Sequence, residues 1–256
     1  MVRRKIISFA NQKGGVGKTT SAVNIAACLA AKGNSVLLVD ADPQGNATSG
    51  LGINKRNIPG SVYDLLIGRK TATECICRSN TKNLSVIPSS IDLVAAELEL
   101  VDTQRRETRL KAALDKVRDV YDYIFIDCPP SLGLVTLNAL TASDGVVIPL
   151  LCEYYSLEGL TQLTITIKSV RKLYNSSLEL LGVLVNMYDG RLNLTAQVMN
   201  ELKKYFADKL FRTPVPRNVK LSEAPSYGMA IIDYDRTSKG AAAYTALADE
   251  FAERCK

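Results

Sequence analysis

Short apolar runs alternate along this chain with longer stretches in which apolar positions recur at three- and four-residue spacing. The runs fall at 5–10, 35–40, 84–88, 123–127, 145–150, 180–186 and 210–213. They are β-branched or apolar on both faces, as strands buried in a parallel sheet must be, and they predict seven such strands. Helical spacing occupies 19–32, 91–101, 108–120, 132–142, 157–174, 195–207 and 241–254. The strand–helix–strand order predicts an α/β fold, a doubly wound and mostly parallel twisted sheet flanked by helices. Ligands of such sheets sit at the carboxyl ends of the strands. No repeat, low-complexity tract or linker interrupts the pattern, so residues 1–256 read as a single domain. The stretch 45–81 is loop-rich and gives no clear periodicity.

Composition narrows the function classes. The longest apolar stretch, 145–152, is far below the ~20 residues a membrane span requires, and the five-residue run near the start is too short for a signal peptide. In the last helical stretch, Tyr244, Leu247, Ala248 and Phe251 share one face while Asp249, Glu250 and Glu253 take the other. A membrane-surface helix would carry lysine and arginine there, so packing onto the domain is expected instead. The six cysteines are scattered, no C-x-x-C pair exists and there is no histidine, which leaves a zinc site almost without ligands. A reduced, cytoplasmic protein is the expectation. The formal charge of +6 is modest, but residues 191–239 carry nine basic residues against five acidic ones, most of the surplus. An anionic partner for the C-terminal part is therefore open.

The chemistry begins at QKGGVGKTT, residues 12–20, between the first strand and the first helix. A strand, a glycine-rich turn and a helix N-terminus in succession cradle phosphate with backbone N–H groups. Gly14, Gly15 and Gly17 let the backbone approach, Lys18 would reach the β- and γ-phosphates, and Thr19 would offer its hydroxyl to Mg²⁺. Lys13, Val16 and Thr20 complete the nucleotide-binding set. The loop lacks its usual leading glycine and holds a second lysine, Lys13. The next strand ends VDADPQGN, placing Asp40 and Asp42 two residues apart, and YIFIDCPP closes a third strand with Asp127. Strand-end carboxylates beside a phosphate loop hold Mg²⁺ or orient an attacking water. The three elements in this order point to a nucleotide hydrolase.

KGGVGKTT, VDADPQGNAT and DYIFIDCPPSLG together resemble the deviant P-loop ATPases of the ParA/MinD group. EYYSLEGL, TPVPRNVKLSEAPSYGMAI and YDRTSKGA resemble its ParA/Soj chromosome-partitioning branch, and the likeness runs from about residue 5 to residue 251. The resemblance implies a P-loop NTPase fold, ATP and Mg²⁺ as cofactors, and a homodimer when ATP is bound. It implies that Lys13 reaches across the dimer to the partner's nucleotide, supplying the charge an arginine finger gives elsewhere. Asp42 would position the attacking water, Asp127 would bind Mg²⁺ through water, and Asp40 would support loop and metal. The base would lie between Asn186 and Pro216-Arg217-Asn218; Asn186-Met187-Tyr188-Asp189 has the spacing of a guanine-reading motif but lacks its lysine, which favours ATP.

The same resemblance implies non-specific binding to double-stranded DNA, reset by a ParB-type partner protein, with nucleoid association and no membrane. Arg191 and Lys220 lie where that branch carries DNA-contacting residues; Arg217, Arg236 and Lys239 are further candidates. The phosphate loop begins at Lys13, so no N-terminal operator-binding domain is expected. The alternative is a MinD-like positioning ATPase on a membrane or protein scaffold. An iron–sulfur carrier of the nitrogenase iron-protein type and a metabolic ligase are more remote.

Overall fold

The computed structural model describes residues 4–256. The chain opens with β1 (Lys5–Phe9), α1 (Lys18–Ala31) and β2 (Val36–Asp40), followed by α2 (Asn46–Gly50), α3 (Val62–Ile67) and α4 (Ala72–Cys75). Next come β3 (Cys77–Arg78), β4 (Leu84–Ile87), α5 (Leu93–Glu99), α6 (Arg109–Leu114), β5 (Tyr123–Asp127) and α7 (Leu134–Ala142). Then β6 (Gly145–Leu151), α8 (Ser156–Leu173), β7 (Glu179–Asn186) and α9 (Asn193–Phe206) lead to α10 (Val219–Glu223), α11 (Ile231–Tyr234) and α12 (Lys239–Arg254).

The strands form one sheet in the order β3-β4-β2-β5-β1-β6-β7. Every neighbouring pair is parallel except β3 with β4 at the edge. Because β2, β5 and the first half of β1 are apolar on both faces, each face needs a cover. One core joins Ile7, Phe9 and Phe125 to α1 and α12; Phe125 meets Phe9 and Phe251 edge to face, with ring centroids 5.1 Å apart in both pairs. The other joins Ile6, Ile124 and Ile126 to the helices from α3 to α9. The chain winds to one side of β1 through β2 and β4, then to the other through β6 and β7. The crevice this reversal leaves lies at the carboxyl ends of the strands.

Six of the seven expected strands form. Residues 210–213 run beside β7 but pair only at isolated points: Val183 N–H donates to Lys209 O (2.7 Å), and Phe211 N–H to Val183 O (2.9 Å). Pro214 and Pro216 lack the N–H groups a ladder needs. The helix expected over 108–120 stops at Leu114. The loop-rich stretch holds α2, α3, α4 and β3. Glu250, expected on the solvent face of α12, is 4 % exposed; it accepts hydrogen bonds from the backbone of Arg212 and Thr213 and from Arg254. The apolar face of α12 does pack onto the domain, as expected.

Two glycines meet where the end of α2 packs on the turn after α10. Gly52 (φ +79°) and Gly228 (φ +64°) adopt left-handed backbone, and a methyl on Gly228 would lie 2.7 Å from the Gly52 Cα. The Asn80 amide donates to Gly228 O across the same contact (3.3 Å). Among the described residues, no helix is long and apolar enough to cross a membrane.

Candidate functional site

Phe9, the last residue of β1, lies beside Asp127 of β5, and Asp127 lies beside Asp40 of β2. Adjacent parallel strands thus deliver the phosphate loop and both carboxylates to one edge. Between β1 and α1, Gly15 and Gly17 take φ of +74° and +84°, a region closed to most side chains. At Gly17 a methyl would also strike the Asn186 amide nitrogen at 2.6 Å. Asn11 pins the loop: its amide donates to Pro149 O of β6 (2.8 Å), and its Oδ1 accepts from the Lys13 N–H (3.0 Å). The loop frames the α1 N-terminus, where unpaired N–H groups and the helix dipole favour an anion.

Lys18 is 6 % exposed, and its ammonium donates to the Lys13 carbonyl across the loop mouth (3.1 Å). Burial pulls its pKa down, opposed by the carboxylates of Asp127 and Asp42 and by Cys128. The Lys13 ammonium pairs with Glu153, just past β6, with both side chains partly exposed. Val16 is buried, while Thr19 and Thr20 are half-buried in the first turn of α1.

The two strand-end aspartates behave differently. Asp40 accepts from Thr48 N–H (2.7 Å) and Thr48 Oγ1–H (2.6 Å), and from Asp42 N–H (3.3 Å). Both its oxygens are engaged, so it anchors the loop that carries Asp42. Burial pushes its pKa up to about 6 against those hydrogen bonds. Asp127 is fully buried, and among the described residues no hydrogen bond of ordinary geometry reaches either of its oxygens. Burial, with the Asp40 carboxylate beside it, drives its pKa well up; Thr19 and Lys18 pull the other way. Asp42 is half-buried and accepts from the Gln44 N–H (2.9 Å).

An orphaned carboxylate next to a hydroxyl and a phosphate cradle is a hard-oxygen set suited to Mg²⁺. Among the described residues no group of three or more Cys, Asp and Glu side chains could hold a metal. A stability test follows. Asp127→Asn should raise the unfolding free energy of the nucleotide-free protein at pH 7.5 by about 1–3 kcal/mol, because it removes a buried, unpartnered charge. The folded wild type binds the extra proton over the window between the ordinary carboxylate pKa and the raised one. Its stability therefore falls as pH rises through that window, and the advantage of the variant should shrink toward pH ~4. Urea unfolding across pH measures both; a variant less stable than wild type at pH 7.5 would contradict the reading.

Asn186 ends β7. Its amide donates to Val16 O (2.8 Å) and Ser21 Oγ (3.0 Å), and its Oδ1 has no partner among the described residues. It lines a cavity of about 140 Å³ with Gly17, Thr20, Pro216, Arg217 and Asn218, so the expected base residues do converge. The next residue, Met187, holds φ +50°, a strained backbone for a side-chain-bearing residue at the cavity wall.

The basic candidates split. Arg191, Arg217 and Lys239 line one surface cavity of about 540 Å³, walled in part by the Pro216–Asn218 segment of the smaller cavity. Arg191 chelates Asp189 through two hydrogen bonds (2.8 and 2.6 Å), which hold the Asp189 carboxyl at about 2. Lys220 pairs with Glu223 (2.8 Å) on α10. Arg236 stands apart, in a cleft between α1 and α12 with Cys28 and Lys32. Sequence reasoning gave no role to Asn11, Thr48 or Glu153; Thr48 and Glu153 lie within VDADPQGNAT and EYYSLEGL, but only their hydrogen bonds and ion pair show what they hold.

Known proteins resemble this chain in sequence and fold. Residues 4–180 match the family described as AAA domain. The chain is 58% identical to the sporulation initiation inhibitor protein Soj of Bacillus subtilis (strain 168), over 97% of this chain and 98% of that one. It is 52% identical to the chromosome-partitioning ATPase Soj of Treponema pallidum (strain Nichols), over 98% of each chain. The structure of cobyrinic acid a,c-diamide synthase from Mycobacterium smegmatis with bound ATP analog and magnesium superposes with a TM-score of 0.83 at 38% identity, covering 96% of this chain and 93% of that one.

Proposed function

The chain belongs to the ParA/Soj family of chromosome-partitioning ATPases, and on that premise we propose a cycle of ATP-dependent dimerisation, DNA binding and ParB-stimulated hydrolysis. In its ATPase step, Lys18 leaves the Lys13 carbonyl for the β- and γ-phosphates, which the loop N–H groups and the α1 N-terminus also hold. Thr19 and Asp127 are the residues that would hold Mg²⁺, whose chemistry is to neutralise charge developing on the phosphate oxygens. Asp42, carried on the loop that Asp40 and Thr48 fix, accepts a hydrogen bond from the attacking water. The spare acceptor of Asn186 suits the exocyclic amino group of adenine, where guanine presents a carbonyl. Lys13 exchanges Glu153 for the triphosphate of a second subunit, so the homodimer requires ATP.

One observation carries the link from nucleotide to DNA. The Pro216–Asn218 segment and Ser222 wall both the base cavity and the cavity that bears Arg191, Arg217 and Lys239. A base seated on one side bears on the cationic surface on the other. Those cations, with Lys220, would contact phosphates without reading sequence. A ligase reading, which the synthase structure raises, is weaker on identity: 38% against 58% for the Bacillus Soj.

The test is fluorescence anisotropy of a mixed-sequence DNA duplex with the Asp42→Ala protein, comparing ATP–Mg²⁺ with ADP–Mg²⁺ across a salt series near ~0.1 M. Binding that needs ATP, weakens with salt and ignores sequence is expected. Equal binding in both nucleotides, or none in either, would remove DNA from the cycle and leave the ATPase site standing.

A further inference from the structure

Two of the cations assigned to DNA are already engaged within the chain. Asp189 is the one acid among the described residues that line the cavity of Arg191, Arg217 and Lys239, and it takes the Arg191 guanidinium on both oxygens. The Arg191 side chain is 88 % exposed, yet the fork that would meet a phosphate closes on its own chain. On α10 the Lys220 ammonium donates to Glu223 Oε2 (2.8 Å). Each acid also has a second donor, independent of the cationic group. Arg191 N–H donates to Asp189 Oδ1 (3.1 Å), and Tyr234 O–H donates to Glu223 Oε2 (3.0 Å). The Tyr234 ring is stacked in turn on Tyr227, with centroids 5.1 Å apart. The cation can swing away; the carboxylate stays.

We propose that Asp189 and Glu223 are resident counter-ions of the DNA surface, which phosphate displaces from Arg191 and Lys220 and which hold the affinity for DNA down. The proposal rests on the DNA reading above and adds two regulating acids to it. An exposed ion pair is weak, so a phosphate can take its cation. The exchange leaves a fixed carboxylate beside the bound phosphate, and that carboxylate gathers a cation from solution. The counterion driven off DNA is then offset by one taken up by the protein, so these two positions add little to the salt dependence of binding. The effect ignores sequence, because it acts on phosphate contacts alone. Acids that instead aimed the two cations at phosphate would act with the opposite sign.

The experiment is anisotropy of a mixed-sequence duplex with ATP–Mg²⁺ across a salt series, comparing Glu223→Gln and Asp189→Asn, each in the Asp42→Ala protein, with that parent. Both substitutions keep the shape of the side chain and an acceptor for the second donor. Each should bind DNA about three- to tenfold more tightly at ~0.1 M salt, and the slope of log affinity against log salt should steepen by up to about 0.9. Asp115→Asn is the charge control. It takes one unit of charge from a lysine pair of similar exposure, with Lys111 (2.7 Å), on α6, which packs on α3 and α7. It should change affinity by less than about twofold, since distant surface charges are screened. Equal or weaker binding by either test variant would make the acids orienting groups and overturns the proposal. An equal gain in Asp115→Asn overturns it too, by reducing the effect to net charge. A parent that binds no DNA removes the DNA reading and the proposal together, whereas a parent that binds and variants that gain nothing refute the proposal alone.

Discussion

Lys18→Ala should weaken ATP binding by at least about a hundredfold, the effect of losing two or more charge-assisted hydrogen bonds to phosphate in a buried site. Two contributions act together. The variant lacks the cation aimed at the β- and γ-phosphates, and the Lys13 carbonyl loses the donor that closes the loop in the free protein. Burial already holds the Lys18 pKa down, so its ammonium is a poorly hydrated charge that gains much from a triphosphate. Isothermal titration of ATP–Mg²⁺ into wild type and variant measures the loss. Retained tight binding would move the phosphate site elsewhere. Circular dichroism should be unchanged, because α1 begins at Lys18 and loses no core side chain there.

Asp42→Ala should separate binding from chemistry. ATP affinity should hold within about threefold, while phosphate release falls by about 10²–10³, the usual weight of a group that orients and activates a water. The loop itself should persist, since Asp40 and Thr48 hold its far end and, among the described residues, the Asp42 side chain hydrogen-bonds only to the Gln44 N–H. A variant that binds ATP and cannot turn it over would accumulate as dimer in light scattering. Normal hydrolysis by Asp42→Ala would remove the residue from the reaction; lost ATP binding would make it part of the nucleotide pocket instead.

The parts of this molecule that were legible in the sequence are those with dense local signals. Six strands are apolar runs with turn residues at their ends, and the glycine–lysine loop needs no tertiary context. Expected strand 210–213 failed because pairing is a tertiary event; its run is apolar, yet prolines at 214 and 216 break the ladder. The helices α3 and α4 were missed although each carries a start signal, Ser61 with Asp64 and Thr71 with Glu74 as reciprocal caps. Four to six residues are too short for periodicity to register, and the two-residue β3 is shorter still. In the site, Asp40 and Asp127 look alike in sequence, each a strand-final acid. Only the position of Thr48, eight residues downstream of Asp40, makes one an anchor and leaves the other free.

The contact between Gly52 and Gly228 carries one more consequence. Gly52 follows α2, which continues from the loop of Asp42; Gly228 ends the short turn after α10, which bears Lys220. Side chains that touch can trade rotamers and absorb a small shift; here two left-handed backbones meet, with the Asn80 amide the side chain beside them. A close backbone seam of this kind leaves little room for slip, so a displacement on the Asp42 side is expected to carry to the side that bears Lys220. A methyl at Gly228, 2.7 Å from the Gly52 Cα, would force the two backbones apart at a point well away from the phosphate loop.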